Sequence, residues 1–171
     1  MRPDDRAAFV EWAAARKGSL LGTAYLMVGD HQLAEDLVQE ALIKTYVAWP
    51  RIRDTSRAEA YARKAVTTTA ISWWRRKSSH ERPHECLPED AGHDRLASDV
   101  TSRDWVWREL QSLPIRQRSA IVLRYYEDLS VAETAAALNC STGSVKSQVS
   151  RGLDRLKEGL GADLKELKGT S

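Results

Sequence analysis

Ser144, Lys146, Ser147, Gln148, Arg151 and Arg155 crowd into one segment, GSVKSQVSRGLDRLKEGL, and point away from a stripe of Val145, Val149, Leu153 and Leu156. Serine, glutamine and arginine near a helix N-terminus bond phosphates and base edges, and no acid intervenes before Asp154. The preceding segment, VAETAAALN, has Ser130 and Glu133 as a capping box and Asn139 as a left-handed stop. Ala135, Ala136 and Ala137 are small enough for two helices to cross closely. Short helix, tight turn, longer helix is the spacing of a DNA-binding helix-turn-helix. The competing reading is an ordinary helical hairpin with a polar outer face.

A second cluster sits in residues 57–78, read as a helix that Ser56 and Glu59 open as a capping box. Ala58, Ala62, Ala65, Val66, Thr69 and Trp73 form its core side. Arg63, Lys64, Thr67, Thr68, Ile71, Trp74 and Arg75 share the other side, with Arg76 and Lys77 close behind. Cations neutralise phosphates, and an exposed indole stacks on an unpaired base or wedges into a base step. Alternatively, both tryptophans pack inward and the cations are merely solvated. Adjacent helical residues diverge too far for both indoles to do so comfortably, so one belongs to the core.

A third cluster lies on a helix expected over 31–49, capped by Asp30 and stopped at Pro50. Ala34, Leu37, Val38, Ala41, Thr45 and Ala48 face inward at 100° per residue. Asp36, Gln39, Glu40, Ile43 and Val47 gather opposite. Carboxylates around two β-branched apolar residues fit an interface with another protein, an apolar centre with an acidic rim. The alternative is a solvated face with two chance hydrophobes.

The remaining elements position these faces. Residues 4–28 carry Phe9, Ala13, Leu20, Leu21, Ala24 and Val28 at helical spacing, with Gly18 as a weak point, and Gly29-Asp30 ends them. Residues 103–112 predict another helix, and Pro114 suits the first position of the next, IRQRSAIVLRYYE. Residues 1–83 hold 14 Lys/Arg against 10 Asp/Glu, residues 84–104 hold 2 against 6, and residues 105–171 hold 10 against 8. The stretch RPHECLPEDAGHDRLASD in this acidic middle and just before it has two prolines, a glycine and no apolar period, so residues 79–101 read as a linker. The expected fold is all-α: two small helical domains, 1–78 and 102–171, on a flexible acidic tether. The tail after Gly161 reads as a frayed helix end with Leu164 and Leu167 as minor contacts.

Composition excludes several classes. Hydrophobic residues at 42% and charged residues at 29% oppose wholesale disorder and a membrane protein. No secretory leader is expected at MRPDDRAAFVEW, and two cysteines, Cys86 and Cys140, suit a reducing cytoplasm. His80, His84, Cys86 and His93 cluster without any common zinc spacing and read as solvated linker residues, so no metal and no cofactor are expected. With no nucleophile–base pair and no phosphate-binding glycine loop, enzyme activity is not expected either. A helix-turn-helix regulator with a helical N-terminal domain accounts for the second block, but it leaves the acidic-apolar face and the WWRR run without purpose.

Taken in order, AEDLVQEALIKTY, ISWWRRK and LPIRQRSAIVLRYYEDLSVAETAAALNCSTGSVKSQVSRGLDRLK resemble segments of the extracytoplasmic-function sigma factors of the sigma-70 family. The resemblance runs over residues 5–78 and 103–160, and the WWRR run is most similar to the actinobacterial group named after SigE. It implies a sigma domain two and a sigma domain four, which bring core RNA polymerase to a promoter. Asp36, Gln39, Glu40, Ile43 and Val47 would dock on the β′ clamp helices. Arg51, Arg53, Arg63, Lys64, Thr67, Thr68, Trp73, Trp74, Arg75 and Arg76 would hold the minus-ten element, with an extruded base pocketed largely by the loop Arg51–Ser56. Ser144, Lys146, Ser147, Gln148, Arg151 and Arg155 would read the minus-thirty-five duplex. The linker would thread toward the RNA exit path, and an anti-sigma factor is an implied partner. Three positions depart from the family: Thr68 for a frequent asparagine, Ser72 for a frequent aspartate, and Gln148 for a common arginine.

Overall fold

The computed structural model describes residues 3–52, 54–80 and 102–169, and every regular element among them is helical. Helix α1 (Pro3–Val28) runs straight through Gly18 and ends where Gly29 takes a left-handed φ of +73°, a conformation that costs glycine little. Asp30 then accepts a hydrogen bond from the Leu33 amide at 2.7 Å and opens α2 (His31–Ala48), as its sequence predicts. Pro50 cannot continue that helix. A 3₁₀ turn, Trp49–Arg51, leads instead to α3 (Thr55–His80).

The start of α3 differs from the expected capping box. Asp54, not Ser56, is the cap: its carboxylate accepts from the Arg57 amide at 2.8 Å and from the Ser56 hydroxyl. Those two bonds, the Ser56 hydroxyl foremost, hold the Asp54 carboxyl below its ordinary range. Glu59 turns away to Arg63 at 3.2 Å and Arg16 at 3.6 Å. Helix α3 also continues to His80, two residues beyond its expected end.

In the second block, α4 (Ser102–Ser112) precedes Pro114, which stands just before α5 (Ile115–Ile121) rather than at its first position. The expected single helix over 115–127 is split. From Val122 to Tyr126 the backbone widens into a π-helical turn, closed by the Glu127 amide donating to the Val122 carbonyl at 3.1 Å. The predicted capping box opens α6 (Val131–Leu138): Ser130 N donates to Glu133 at 2.7 Å and Glu133 N donates to Ser130 at 3.0 Å. Asn139 closes the helix at φ 54°, ψ 50°, the left-handed stop read from the sequence. Ser141 then caps α7 (Thr142–Gly169) through the Ser144 amide at 3.1 Å. Ala135 and Ala137 are buried, whereas Ala136 faces solvent.

Helices α1, α2 and α3 pack pairwise as a three-helix bundle, and α4–α7 form the second unit. Trp12, Thr23 and Met27 join Leu20, Ala24 and Val28 in the α1 core, beyond the apolar stripe expected there. The two units also pack on each other. One continuous buried cluster includes Met27, Val66 and Ile71 of the bundle together with Ala120, Leu123, Leu129 and Val145 of the second unit. The linker residues 81–101, including His84, Cys86 and His93, lie outside the described residues, as does Arg53.

Candidate nucleic-acid interface

On α2 the angular reading holds except at the C-terminal end, where Ala48 is only half-buried. Ala34, Leu37, Val38, Ala41 and Thr45 are buried, and Asp36, Gln39 and Glu40 are exposed. Ile43 and Val47 stand 64% and 71% exposed between them, without any covering element among the described residues. The acids are only lightly engaged: Glu40 pairs with Lys44 at 2.7 Å and Asp36 accepts from Gln32 at 3.3 Å. Exposed pairs of this kind contribute little, so an incoming cationic partner displaces them at small cost.

On α7, Val145 is buried and Val149, Leu153 and Leu156 are half-buried against the core. Ser144, Lys146, Ser147, Arg151 and Arg155 are exposed, and Gln148 is half-buried beside them. The Ser144 hydroxyl accepts from Ser141 at 3.0 Å, which leaves its own proton available to a phosphate. The face therefore offers the N-terminal end of a helix dipole, hydroxyls and cations on one side of a single rigid element.

The α3 face is divided. Lys64, Thr68, Arg75 and Arg76 are exposed, as is Arg51 in the preceding turn. Thr67 and Ile71 are buried instead, and Arg63 is only 13% exposed at the side chain. The second unit covers this part. Arg63 Nε donates to Glu127 at 3.0 Å, and the guanidinium of Arg118 lies 5.5 Å from the Trp74 ring centroid. Trp74, not Trp73, packs against the core cluster, reversing the sequence expectation; both indoles are half-buried, with Lys77 5.0 Å from each ring. Thr67 Oγ1 and Trp74 Nε1 are buried with no hydrogen-bond partner among the described residues. Leaving such a group unmade costs about 1–3 kcal/mol.

Sequence reasoning missed the residues that make this cover. Arg118 is buried and donates to the carbonyls of Leu110 at 2.9 Å, Gln111 at 2.9 Å, Leu113 at 2.8 Å and Met27 at 2.5 Å. Burial pushes its pKa down to about 10, which still leaves it cationic at neutral pH. Gln111 donates to the Leu26 carbonyl at 3.0 Å. Two of the last carbonyls of α1, those of Leu26 and Met27, orphaned as in any helix end, are thus satisfied by side chains of the other unit. Glu127, turned inward after the π-helical turn, also accepts from Thr23. Two α1 glycines permit the approach: a Cβ on Gly22 would lie 2.5 Å from the Tyr126 hydroxyl, and one on Gly29 would lie 2.5 Å from Gln111. The available sequence signal was a charged residue, Arg118, embedded in the run IRQRSAIVL.

Comparisons with known proteins agree with this geometry. Residues 13–80 match the model of sigma-70 region 2, and residues 103–156 match that of sigma-70 region 4. The chain belongs to the sigma-70 family of RNA polymerase sigma factors, in the extracytoplasmic-function class. Among its relatives, the RNA polymerase sigma-E factor of Streptomyces avermitilis is 41% identical over 152 residues, covering 89% of this chain and 84% of that one. The extracytoplasmic-function sigma factor SigD of Mycobacterium tuberculosis is 34% identical, covering 73% of this chain and 62% of the relative. Among solved structures, the sigma factor RpoE of Bartonella quintana, in complex with the anti-sigma factor NepR, superposes with a TM-score of 0.72 at 26% identity, covering 91% of this chain and 98% of that one. The protein directs promoter-specific initiation of transcription by binding core RNA polymerase and recognising minus-ten and minus-thirty-five elements. Among the described residues no helix is long and apolar enough to cross a membrane.

Proposed function

We propose that the three faces divide this work. Asp36, Gln39, Glu40, Ile43 and Val47 dock on the polymerase β′ clamp helices. Arg51, Arg53, Arg63, Lys64, Thr67, Thr68, Trp73, Trp74, Arg75 and Arg76 hold the opened minus-ten strand. Ser144, Lys146, Ser147, Gln148, Arg151 and Arg155 read the minus-thirty-five duplex. The functional units are residues 1–78 and 102–171, with 79–101 as the tether between them. The protein acts by binding rather than turnover, in the cytoplasm, and an anti-sigma factor is among its partners, as one is for the similar Bartonella protein.

The observation that carries this reading is the α2 face, where Ile43 and Val47 project among acids with none of the described residues over them. Two isolated apolar residues give no stability in water, but they do at the centre of an interface. Opening a promoter requires contacts that unpaired bases make and duplex DNA does not, and these must offset about a few kcal/mol per unstacked base. Lys64, Thr68, Arg75 and Arg76 supply phosphate contacts, and the Trp73–Trp74 pair, 5.1 Å between centroids, supplies a stacking surface. Two weak DNA contacts on one tether reinforce each other once polymerase holds both.

Run-off transcription with core polymerase on a promoter library, with and without the protein, tests the reading. New start sites that depend on the α2 face support it. Tight, specific promoter binding in a gel shift without polymerase would favour the polymerase-independent regulator instead.

A further inference from the structure

We propose that Ser78 is a phosphoacceptor: a serine kinase with an acid-lined substrate cleft recognises Arg75 and Arg76, and the phosphoryl group it leaves on Ser78 withdraws those two cations from the minus-ten strand. This rests on the assignment of Arg75 and Arg76 to strand binding. In the run Arg75-Arg76-Lys77-Ser78, arginines stand three and two residues before the hydroxyl. Arg75, Arg76, Ser78 and Ser79 are all exposed, and α3 ends two residues after Ser78, at His80. A kinase reads its substrate as extended chain, and the last turn of a helix opens without disturbing the core beneath it. A comparable run, Arg16-Lys17-Gly18-Ser19, has an exposed serine too, but it lies in the middle of α1. Extending it would break that helix between the buried Trp12 and Leu20. Position in the helix therefore separates the two serines, where local charge does not.

The Ser78 hydroxyl donates to the Trp74 carbonyl at 2.7 Å, which sets its oxygen over the turn that carries Trp74 and Arg75. Transfer moves the γ-phosphoryl group of ATP to Ser78 Oγ. The new O–P bond replaces the bond to the β-phosphate, ADP departs, and the hydroxyl proton passes to the general base of the kinase. The product carries a charge of about −2 at neutral pH. It has lost the proton that bonded Trp74, and it sits at the negative end of the α3 dipole, so the last turn loosens. Its oxygens also take the guanidinium groups of Arg75 and Arg76 in charge-assisted bonds. The three adjacent cations, Arg75, Arg76 and Lys77, then present a net charge of about +1 to a strand. Asp36, Gln39, Glu40, Ile43 and Val47 lie on another helix, so polymerase capture is untouched.

The test has three arms. Full-length chain is incubated with γ-labelled ATP and a purified serine kinase that selects arginine at these two positions. Label should enter the parent, Ser79→Ala and Ser19→Ala chains alike and be lost in Ser78→Ala; label that survives Ser78→Ala would overturn the assignment. Peptide mass mapping of the chain isolated from cells that make it, in growth and under envelope stress, should find phosphate on Ser78, and its absence in both states would overturn the proposal. In the third arm, phosphorylated chain bound to core polymerase is titrated against a fluorescent single-stranded oligonucleotide carrying the non-template minus-ten sequence of a promoter used in run-off. Masking two phosphate contacts should lower the salt slope by about 1.4 and weaken binding roughly tenfold near physiological salt. Phosphatase treatment should restore both, while pull-down by polymerase stays constant throughout. Labelled chain that binds the strand as tightly as unlabelled would overturn the regulatory role. Arg75→Ala with Arg76→Ala, unphosphorylated, keeps that result apart from a failure of the strand assignment: if this variant also binds unchanged, the assignment of the two arginines falls with it, whereas weakened binding confines the failure to the phosphate.

Discussion

The outer faces of α2 and α3 are neighbours in one bundle, yet one is bare and the other roofed. Both combine charge with apolar side chains. They differ in sign: α2 presents Asp36 and Glu40, and α3 presents Arg63. The second unit approaches with Glu127, which attracts Arg63 and would repel the acids of α2. Charge therefore distinguishes the covered face from the one left open, which on the proposed assignment serves polymerase, whereas apolar area alone would not separate them.

The largest expected effect tests the roof. Arg118→Ala strips donors from four carbonyls and should lower stability by about 3 kcal/mol in urea unfolding. Arg118→Lys should recover only part of this, since an ammonium lacks the planar fork. Breaking the bare face should leave stability intact. Ile43→Asp with Val47→Asp should weaken polymerase capture in a pull-down by roughly a hundredfold, with unfolding shifted by no more than about 0.5 kcal/mol. A smaller change belongs to α7: Gln148→Arg should move one minus-thirty-five preference from adenine toward guanine by about 1–3 kcal/mol, read by selection from randomised promoters. The smallest concerns a local cap, where Ser130→Ala should cost about 1 kcal/mol. Glu133 is held below its ordinary carboxyl range by the Ser130 amide first, then by the Ser130 hydroxyl, with the charge of Arg63 adding to both. Because its folded value is depressed, this contribution is present above the unfolded value and fades as pH falls through the folded one. Acid titration followed by circular dichroism should therefore show Glu133→Gln converging on the parent at low pH, whereas the Ser130→Ala loss, which strips the acceptor from the Glu133 amide, persists there.

Features closed within a few residues were legible in the sequence. Asp30, the Ser130–Glu133 box, Asn139 and the two sides of α2 all follow from helical period and capping chemistry. At α3 two capping residues stand two positions apart, and Asp54 prevails because its carboxylate takes both the Arg57 amide and the Ser56 hydroxyl. Which indole turns inward was not legible, because that depends on what lies over α3. The cover joins residues 64 to 104 positions apart in the chain, Arg63 and Thr23 to Glu127, and periodicity carries no signal across that distance. The π-helical turn that ends at Tyr126, just before Glu127, was likewise invisible to a pattern that reads 115–127 as one helix.

Gly22 and Gly29 meet the second unit by having nothing to remove. An alanine scan, which works by subtraction, would pass over Tyr126's resting place unless it happened to add a methyl there. Spontaneous alleles act by addition as well, and a single nucleotide change at a glycine codon always enlarges the residue when it yields another amino acid. At Gly29 such an enlargement acts twice, straining the +73° turn that ends α1 and crowding Gln111, so it should lower stability more than one at Gly22, where only the tip of Tyr126 has to move.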